Sequence, residues 1–436
     1  MRRFFADLTP LQTPDYRRLW LSGVVTVIGA NLTIFAVPVQ IYALTQNSAY
    51  VGLAGIFALV PLVVFGLWGG AWADVMDRRL LLIIASIGLA VASVLLWLQA
   101  ALSINNVWVV MSLLAVQQAF FAINSPTRSA AISRIVPGDQ LPAATSLNFT
   151  VFQFGAIVGP LMAGVMLRWV DLSTLYLIDA ITCIVPIWAT VRLKPIPPSK
   201  GDAASSGWGF RAVLDGFRYL AGNTVVLMSF VVDLIAMILG MPRALFPQMA
   251  HQSFGGPVEG GTTMALLSAA IAVGAVAGGV FSGWLPRVKR QGLAVVWAIV
   301  VWGLAMVGFG VAAGLANGHV GTILWIALLF LVIGGAADLV SSAFRNTILL
   351  QAATDEVRGR LQGVFTVVVA GGPRVADAVH GAAAAAVGTT VAAAGGGALV
   401  VVGVVIAALA APAFIRYRAG HAEDEVSEHT TDDDKV

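Results

Sequence analysis

The chain has 436 residues, of which 58% are hydrophobic and 11% charged. Soluble domains carry about 25% charged residues, so a soluble globular protein is excluded and an integral membrane protein remains. The formal net charge of +3 is spread among loops, which leaves no basic face for nucleic acid. The single cysteine, Cys183, lies in an apolar run and excludes a disulfide framework.

Met1 to Trp20 is polar, and the first apolar run continues past Val39 without a small-residue cleavage site. That run is read as a retained helix and not as a signal peptide. A membrane crossing needs about 20 apolar residues at about 1.5 Å each, and on that ruler the chain holds twelve spans. The first six are Leu19 to Leu44, Val51 to Trp72, Leu80 to Leu102, Val107 to Thr127, Leu141 to Trp169 and Leu175 to Leu193. The second six are Thr224 to Ala250, Thr263 to Leu285, Gly292 to Leu315, Gly321 to Leu350, Gly359 to Ala386 and Thr390 to Ile415.

Lysine and arginine set the orientation. With Arg168 as the exception, the loop cations fall on one side, among them Arg17, Arg18, Arg78, Arg79, Arg134, Arg192, Lys194, Arg287, Lys289 and Arg290. Both termini are therefore expected in the cytoplasm, in the cell membrane of a bacterium. Residues 194–221 form a Pro-, Ser- and Gly-rich linker between a first half, 1–193, and a second, 222–418. Within the linker Phe210, Leu214, Phe217 and Leu220 recur at helical spacing, as expected of a helix lying on the inner leaflet. The tail, 419–436, is acidic and poor in apolar residues, which predicts disorder.

A weak repeat relates the halves. Gly70 to Arg79 after the second span is echoed by Gly283 to Arg290 after the eighth, and Arg128 ending the fourth span by Arg345 ending the tenth. Two six-helix halves related by a twofold along the membrane normal predict an all-α transporter with its cavity between them.

Gly70-x-x-x-Asp74-x-x-x-Arg78-Arg79 resembles the loop between helices 2 and 3 of the major facilitator superfamily, with Trp72, Val75 and Asp77 departing from the usual residues. Val37-Pro38-Val39-Gln40-Ile41, Gly52-Leu53, Met241-Pro242-Arg243-Ala244-Leu245-Phe246-Pro247 and Arg358-Gly359-Arg360-Leu361-Gln362-Gly363 resemble the enterobactin-exporter branch of that superfamily. The likeness runs from about Tyr16 to Arg418. It implies a monomeric siderophore exporter driven by protons. Macrolide and other drug pumps share much of the pattern, so an amphiphilic drug is the alternative cargo. A non-transporting sensor or scaffold has no need of paired gates. No phosphate-cradling G-x-x-x-x-G-K-[ST] loop or H-E-x-x-H zinc pair occurs, so neither an enzyme nor a cofactor is expected, and an ion gradient supplies the energy.

The resemblance makes Gly70, Asp74, Arg78, Arg79 and Arg128 a gate closing the cytoplasmic side, with Asp74 facing Arg128 and the start of the eleventh helix at Gly359. For Asp77 and the Arg78-Arg79 pair, anchoring to the inner leaflet explains the charges equally. A carboxylate at the C-terminal end of its own helix costs about 0.3–1 kcal/mol, so Asp74 needs a partner elsewhere.

Charges within spans are expensive and functional by default. Asp233 lies nine residues past Thr224, near the midplane, and is the first candidate for carrying the proton, the alternative being a carboxylate neutralised by a helix partner for structure. Asp338 is the second, on one polar face with Ser342 and Arg345, and Asp377 the third. Arg374 and Asp377 share a helix face and can neutralise each other; alternatively Asp377 reaches Arg243 in an outer latch. Arg243 and Arg374 could also attract an anionic siderophore. His380 reads as scaffold, and Asp179 as a helix contact. The first half offers amides and rings that would suit an aromatic, hydrogen-bonding ligand: Asn31, Phe35, Gln40, Gln117, Phe121, Asn124, Asn148 and Gln153.

Overall fold

The computed structural model describes residues 7–197, 222–352 and 355–418. The expected linker helix and acidic tail lie outside those residues. In chain order the long helices are α1 (Pro14–Thr45), α2 (Ser48–Val75), α3 (Arg78–Ala101), α4 (Val107–Ile135), α5 (Leu141–Met166), α6 (Leu172–Val191), α7 (Thr224–Ser253), α8 (Thr262–Val280), α9 (Gln291–Leu315), α10 (Thr322–Ala352), α11 (Asp355–Val387) and α12 (Thr389–Ala410). Eleven of the described helices are long and apolar enough to cross a membrane. The more polar α11 packs along α2, α7 and α12 and completes the twelve.

Short polar caps start these helices. Asn47, Asn106 and Asn223 accept from the first-turn amides of α2, α4 and α7, satisfying donors that have no partner within the helix. The apolar run of α7 was expected to form one helix to Ala250, yet regular α-helix stops at Gly240. Pro242 lacks an N–H and disfavours helix at the residue before it, so the chain continues as a 3-10 turn, Arg243–Leu245, and a π turn, Met249–Ser253.

The weak sequence repeat becomes a repeat of packing. In the first half α1 packs on α5 and α6, α2 on α4, and α3 on α4 and α6; in the second, α7 packs on α11 and α12, α8 on α10, and α9 on α10 and α12. Between halves, α2 meets α11 and α5 meets α8. Large apolar side chains of α3, α9 and α12, such as Val91, Leu304 and Leu399, are exposed as expected for contact with lipid. The side of the bundle where α1 begins and α12 ends is called the basic face below, and the other the far face.

Candidate transport pathway and its seals

At the far face the halves meet almost backbone to backbone. A Cβ on Gly52 of α2 would come within 2.9 Å of the Gly381 Cα on α11, and one on Gly55 within 2.6 Å of the Arg374 carbonyl oxygen. Only glycine permits such an approach. Beside this crossing the Ser48 N–H donates to Gln248 Oε1 across the halves at 3.1 Å. The second crossing joins α5 to α8, where a Cβ on Gly164 would meet the Gly261 carbonyl oxygen at 2.8 Å. Gly260 and Gly261, at φ 94° and 122°, are in a region that side chains rarely adopt. That conformation lays Gly260 against Phe35, Val39 and Leu167 of the first half.

Arg168, the exception to the charge asymmetry, explains itself here. Its Nη2 donates to Thr262 Oγ1 at 2.9 Å, tying the end of α5 to the start of α8. Next to it Asp171 caps α6, accepting from Thr174 Oγ1 at 2.7 Å and Ser173 Oγ at 2.9 Å. Those hydrogen bonds, that from the Thr174 side chain first, hold its carboxyl below the ordinary carboxylate value. Both residues line a cavity of about 590 Å³ together with Glu259 and Trp325.

Arg243, Arg374 and Asp377 gather beneath the α2–α11 crossing. Both cations lie within electrostatic reach of Asp377, but none of the described residues closes an ion pair with it. Neither the expected Arg374–Asp377 pair nor an Asp377–Arg243 latch is formed in this conformation. The backbones of Arg374 and Asp377, pressed against Gly52 and Gly55, make the contact instead.

Deeper in the second half, Arg345 Nη1 forms an ion pair with Asp233, joining α10 to α7. Both side chains are buried, and Arg345 Nε also donates to Ser341 Oγ at 3.2 Å. Ser341 lies on the expected polar face with Asp338 and Ser342, but the charge that Arg345 meets is on α7. Asp338 is half-buried with no hydrogen-bonding partner among the described residues. The repeat could have signalled the pair. Arg128, the equivalent of Arg345, reaches from α4 to α1, where Nη2 donates to the Leu19 carbonyl at 2.6 Å and packs on Gly23. Gly23 and Asp233 each lie nine residues past the start of their helix, 23 − 14 and 233 − 224. The second half has placed a carboxylate where the first keeps a glycine.

Several amides expected to line the cavity point elsewhere. Gln40 and Gln99 exchange hydrogen bonds at 3.0 and 3.1 Å, and the Tyr176 hydroxyl donates to Gln40 Oε1 at 2.8 Å. Gln117 Nε2 donates to Ser93 Oγ at 3.3 Å, and Asn124 Nδ2 to Ser86 Oγ at 3.3 Å. These three bind α1 and α4 to α3 and α6, because an amide in hydrocarbon is most stable where another helix supplies its partners. Asn31 donates to the Val27 carbonyl and packs on Gly159 of α5. Phe35 is buried in the far seal. Phe121 stands exposed on α4, while Asn148 and Gln153 are half-buried on α5 with no hydrogen-bonding partner among the described residues. What the sequence reading missed is the network around Asp179. That carboxyl is buried and accepts from Thr33 Oγ1 at 2.7 Å and Ser93 Oγ at 2.8 Å. Lone hydroxyls in otherwise apolar runs of α1 and α3 were the available signal.

At the basic face the surroundings of Gly70, Asp74 and Gly359 lie outside what the structure describes. Asp77 caps α3 by accepting from the Arg79 N–H and also from the Ile196 N–H, while Arg79 Nη2 donates to the Val191 carbonyl at 2.7 Å. Arg79 thus fastens the α2–α3 turn to the end of α6 within its own half, and the Arg78 N–H joins it through the Ile196 carbonyl. A contact within one half cannot itself hold the two halves together, so the gate expected at this pair is not formed by these bonds.

A twelve-helix bundle in two equivalent halves, sealed at one face and carrying a buried ion pair in one half, has the architecture of a transporter. A family model described as transmembrane secretion effector matches residues 5–435. The chain belongs to that family, within the major facilitator superfamily. It is 25% identical over 381 residues to a protein of Citrobacter koseri named enterobactin exporter EntS, covering 86% of each chain. Among solved structures it is similar to the nucleoside transporter NupG, at a TM-score of 0.71 and 13% identity over 92% of this chain and 99% of that one. A D-xylose-proton symporter follows at a TM-score of 0.70 and 14% identity, over 90% and 96%. The chain is a membrane transporter of the major facilitator type and not an enzyme.

Proposed function

We propose that this transporter exports a siderophore of the catecholate class across the cell membrane in exchange for protons, working as a monomer. The observation that carries the coupling is the buried Asp233–Arg345 pair, which joins two helices of one half. Its helices belong to a fold that must rearrange to open the sealed face. The substrate class rests on the enterobactin exporters to which the chain is related along 86% of its length.

In this reading the basic face is cytoplasmic, both termini lie inside, and the conformation seen is closed to the outside. Cargo enters from the cytoplasm while Asp233 is ionised and paired. A proton arriving from outside neutralises Asp233, the ion pair with Arg345 is lost, and the freed guanidinium changes the balance between the two conformations. One proton crossing 100 mV supplies about 2.3 kcal/mol, enough for roughly fortyfold accumulation at about 1.4 kcal/mol per factor of ten.

Deleting the gene and measuring siderophore inside and outside iron-starved cells by mass spectrometry tests the substrate. Intracellular retention is expected, and unchanged secretion would refute the assignment. In membrane vesicles Asp233→Asn is expected to bind siderophore but to lose uphill transport; retained uphill transport moves the proton to another carboxyl.

A further inference from the structure

Two carboxyls among the described residues are fully buried, Asp233 at 4% exposure and Asp179 at 1%. Asp233 has its arginine. Asp179, on α6, is surrounded by neutral groups drawn from every helix packed against it. Thr33 on α1 and Ser93 on α3 donate to Oδ2, and Gln117 Nε2 on α4 approaches the same oxygen at 3.5 Å. The titratable groups facing it are Tyr176 and Cys183, on its own helix. Tyr176 has already given its hydroxyl hydrogen to Gln40. No cation among the described residues forms an ion pair with Asp179.

A bare carboxylate held in hydrocarbon without a cation is far more costly than a neutral acid. The hydrogen bonds are also lopsided. All three donors converge on Oδ2 and none of the described residues donates to Oδ1, which leaves Oδ1 free to carry a hydrogen. An ionised group shares its charge over both oxygens and calls for donors on each.

The site is mechanically connected to the far seal. Gly29 lies directly against the Asp179 backbone, and Thr33 follows one turn later on α1. Phe35 and Val39, still on α1, are the residues pressed by Gly260 of the other half. Movement of α1 on opening the far face therefore alters the donors around Asp179. Of the three donors to Asp179, Gln117 alone is only half-buried.

We propose that Asp179 is a second proton-bearing carboxyl of the transport cycle, protonated while the far face is sealed and deprotonated when α1 moves. The Oδ1–H bond breaks, the proton passes to a water molecule admitted as α1 moves, and the carboxylate left behind keeps Ser93 of α3 and Gln117 of α4 as donors. This rests on the proton-coupled reading above.

Infrared difference spectroscopy of the purified full-length protein, together with proton counting in proteoliposomes carrying enterobactin, tests it. The wild type is expected to show a protonated-carboxyl band at neutral pH that Asp179→Asn removes and Asp233→Asn keeps. Asp179→Asn is also expected to move one proton fewer per substrate while still binding it. A band and a proton count both unchanged in Asp179→Asn overturn the proposal. Should that variant fail to fold, Thr33→Val decides. A displaced pH profile of proton exchange supports the proposal, and an unchanged one overturns it. A wild type that moves substrate without protons defeats the coupled reading itself, while the band still reports whether Asp179 is protonated.

Discussion

Each half of the bundle buries an aspartate, and the two are stabilised by opposite means. In the second half Asp233 is matched by the guanidinium of Arg345; in the first, Asp179 is met by two hydroxyls and an amide. The repeat sharpens the contrast, since Arg128 has the place of Arg345 but rests on Gly23 and a backbone carbonyl. An ion pair in a dry interior is stable only while both charges persist. A carboxyl among neutral donors has no ion pair to lose when it carries a proton. The same fold thus holds one group whose neutralisation breaks a contact and another whose neutral state is its resting state.

The largest expected effect comes from orphaning Asp233. Arg345→Ala is predicted to destabilise the protein by about 3–5 kcal/mol, the cost of an uncompensated buried charge, read as a loss of thermal stability in detergent. Adding Asp233→Asn to that variant is predicted to recover most of it, and no recovery would show that the pair is not what the arginine supports. The first half should respond more mildly. Ser93→Ala removes one donor from Asp179 and is predicted to cost about 1 kcal/mol, as for a hydrogen bond between neutral groups. A loss as large as that of Arg345→Ala would mean that Asp179 is charged, and the contrast between halves would fall.

Asp171, at the far face and in contact with water, supplies the smallest effect and a third environment for the same side chain. Asp171→Ala removes the cap of α6 and is predicted to cost about 0.5 kcal/mol, at the low end for an exposed cap. The folded carboxyl titrates below its ordinary value of 3.8, so its contribution is complete above that pH. It is lost as the pH falls through the lowered folded value, where more protons bind the unfolded chain than the folded one. The stability gap between wild type and Asp171→Ala should therefore close in strong acid and stay constant from mildly acid to neutral pH.

Much of the architecture was legible because lipid imposes one rule along the whole chain: apolar runs of membrane length become helices. The break in α7 departed from that rule at Pro242, where the missing N–H outweighed the apolar pattern. Side-chain partners were harder to read. Gln40, Gln117 and Asn124 look like cavity residues in sequence, yet each meets a polar group on α3. Partner choice depends on which face of a helix a residue occupies, and a run apolar on all sides carries no periodicity from which to fix that face. The Asp233–Arg345 pair was within reach of the repeat, since Arg128 and Arg345 were recognised as equivalents. Finding it required asking what lies on the first helix of each half.

The far seal has a kinetic consequence. A latch of opposite charges at a water-exposed surface loosens as salt screens it, so its opening rate follows the ionic strength of the medium. This seal is glycine backbone fitted to backbone at Gly52, Gly55, Gly164 and Gly381, with Arg168 bonded to a neutral hydroxyl. Dispersion between fitted surfaces is indifferent to ions. The pace at which the bundle exposes its interior at that face is thereby insulated from changes in the salinity of the surroundings.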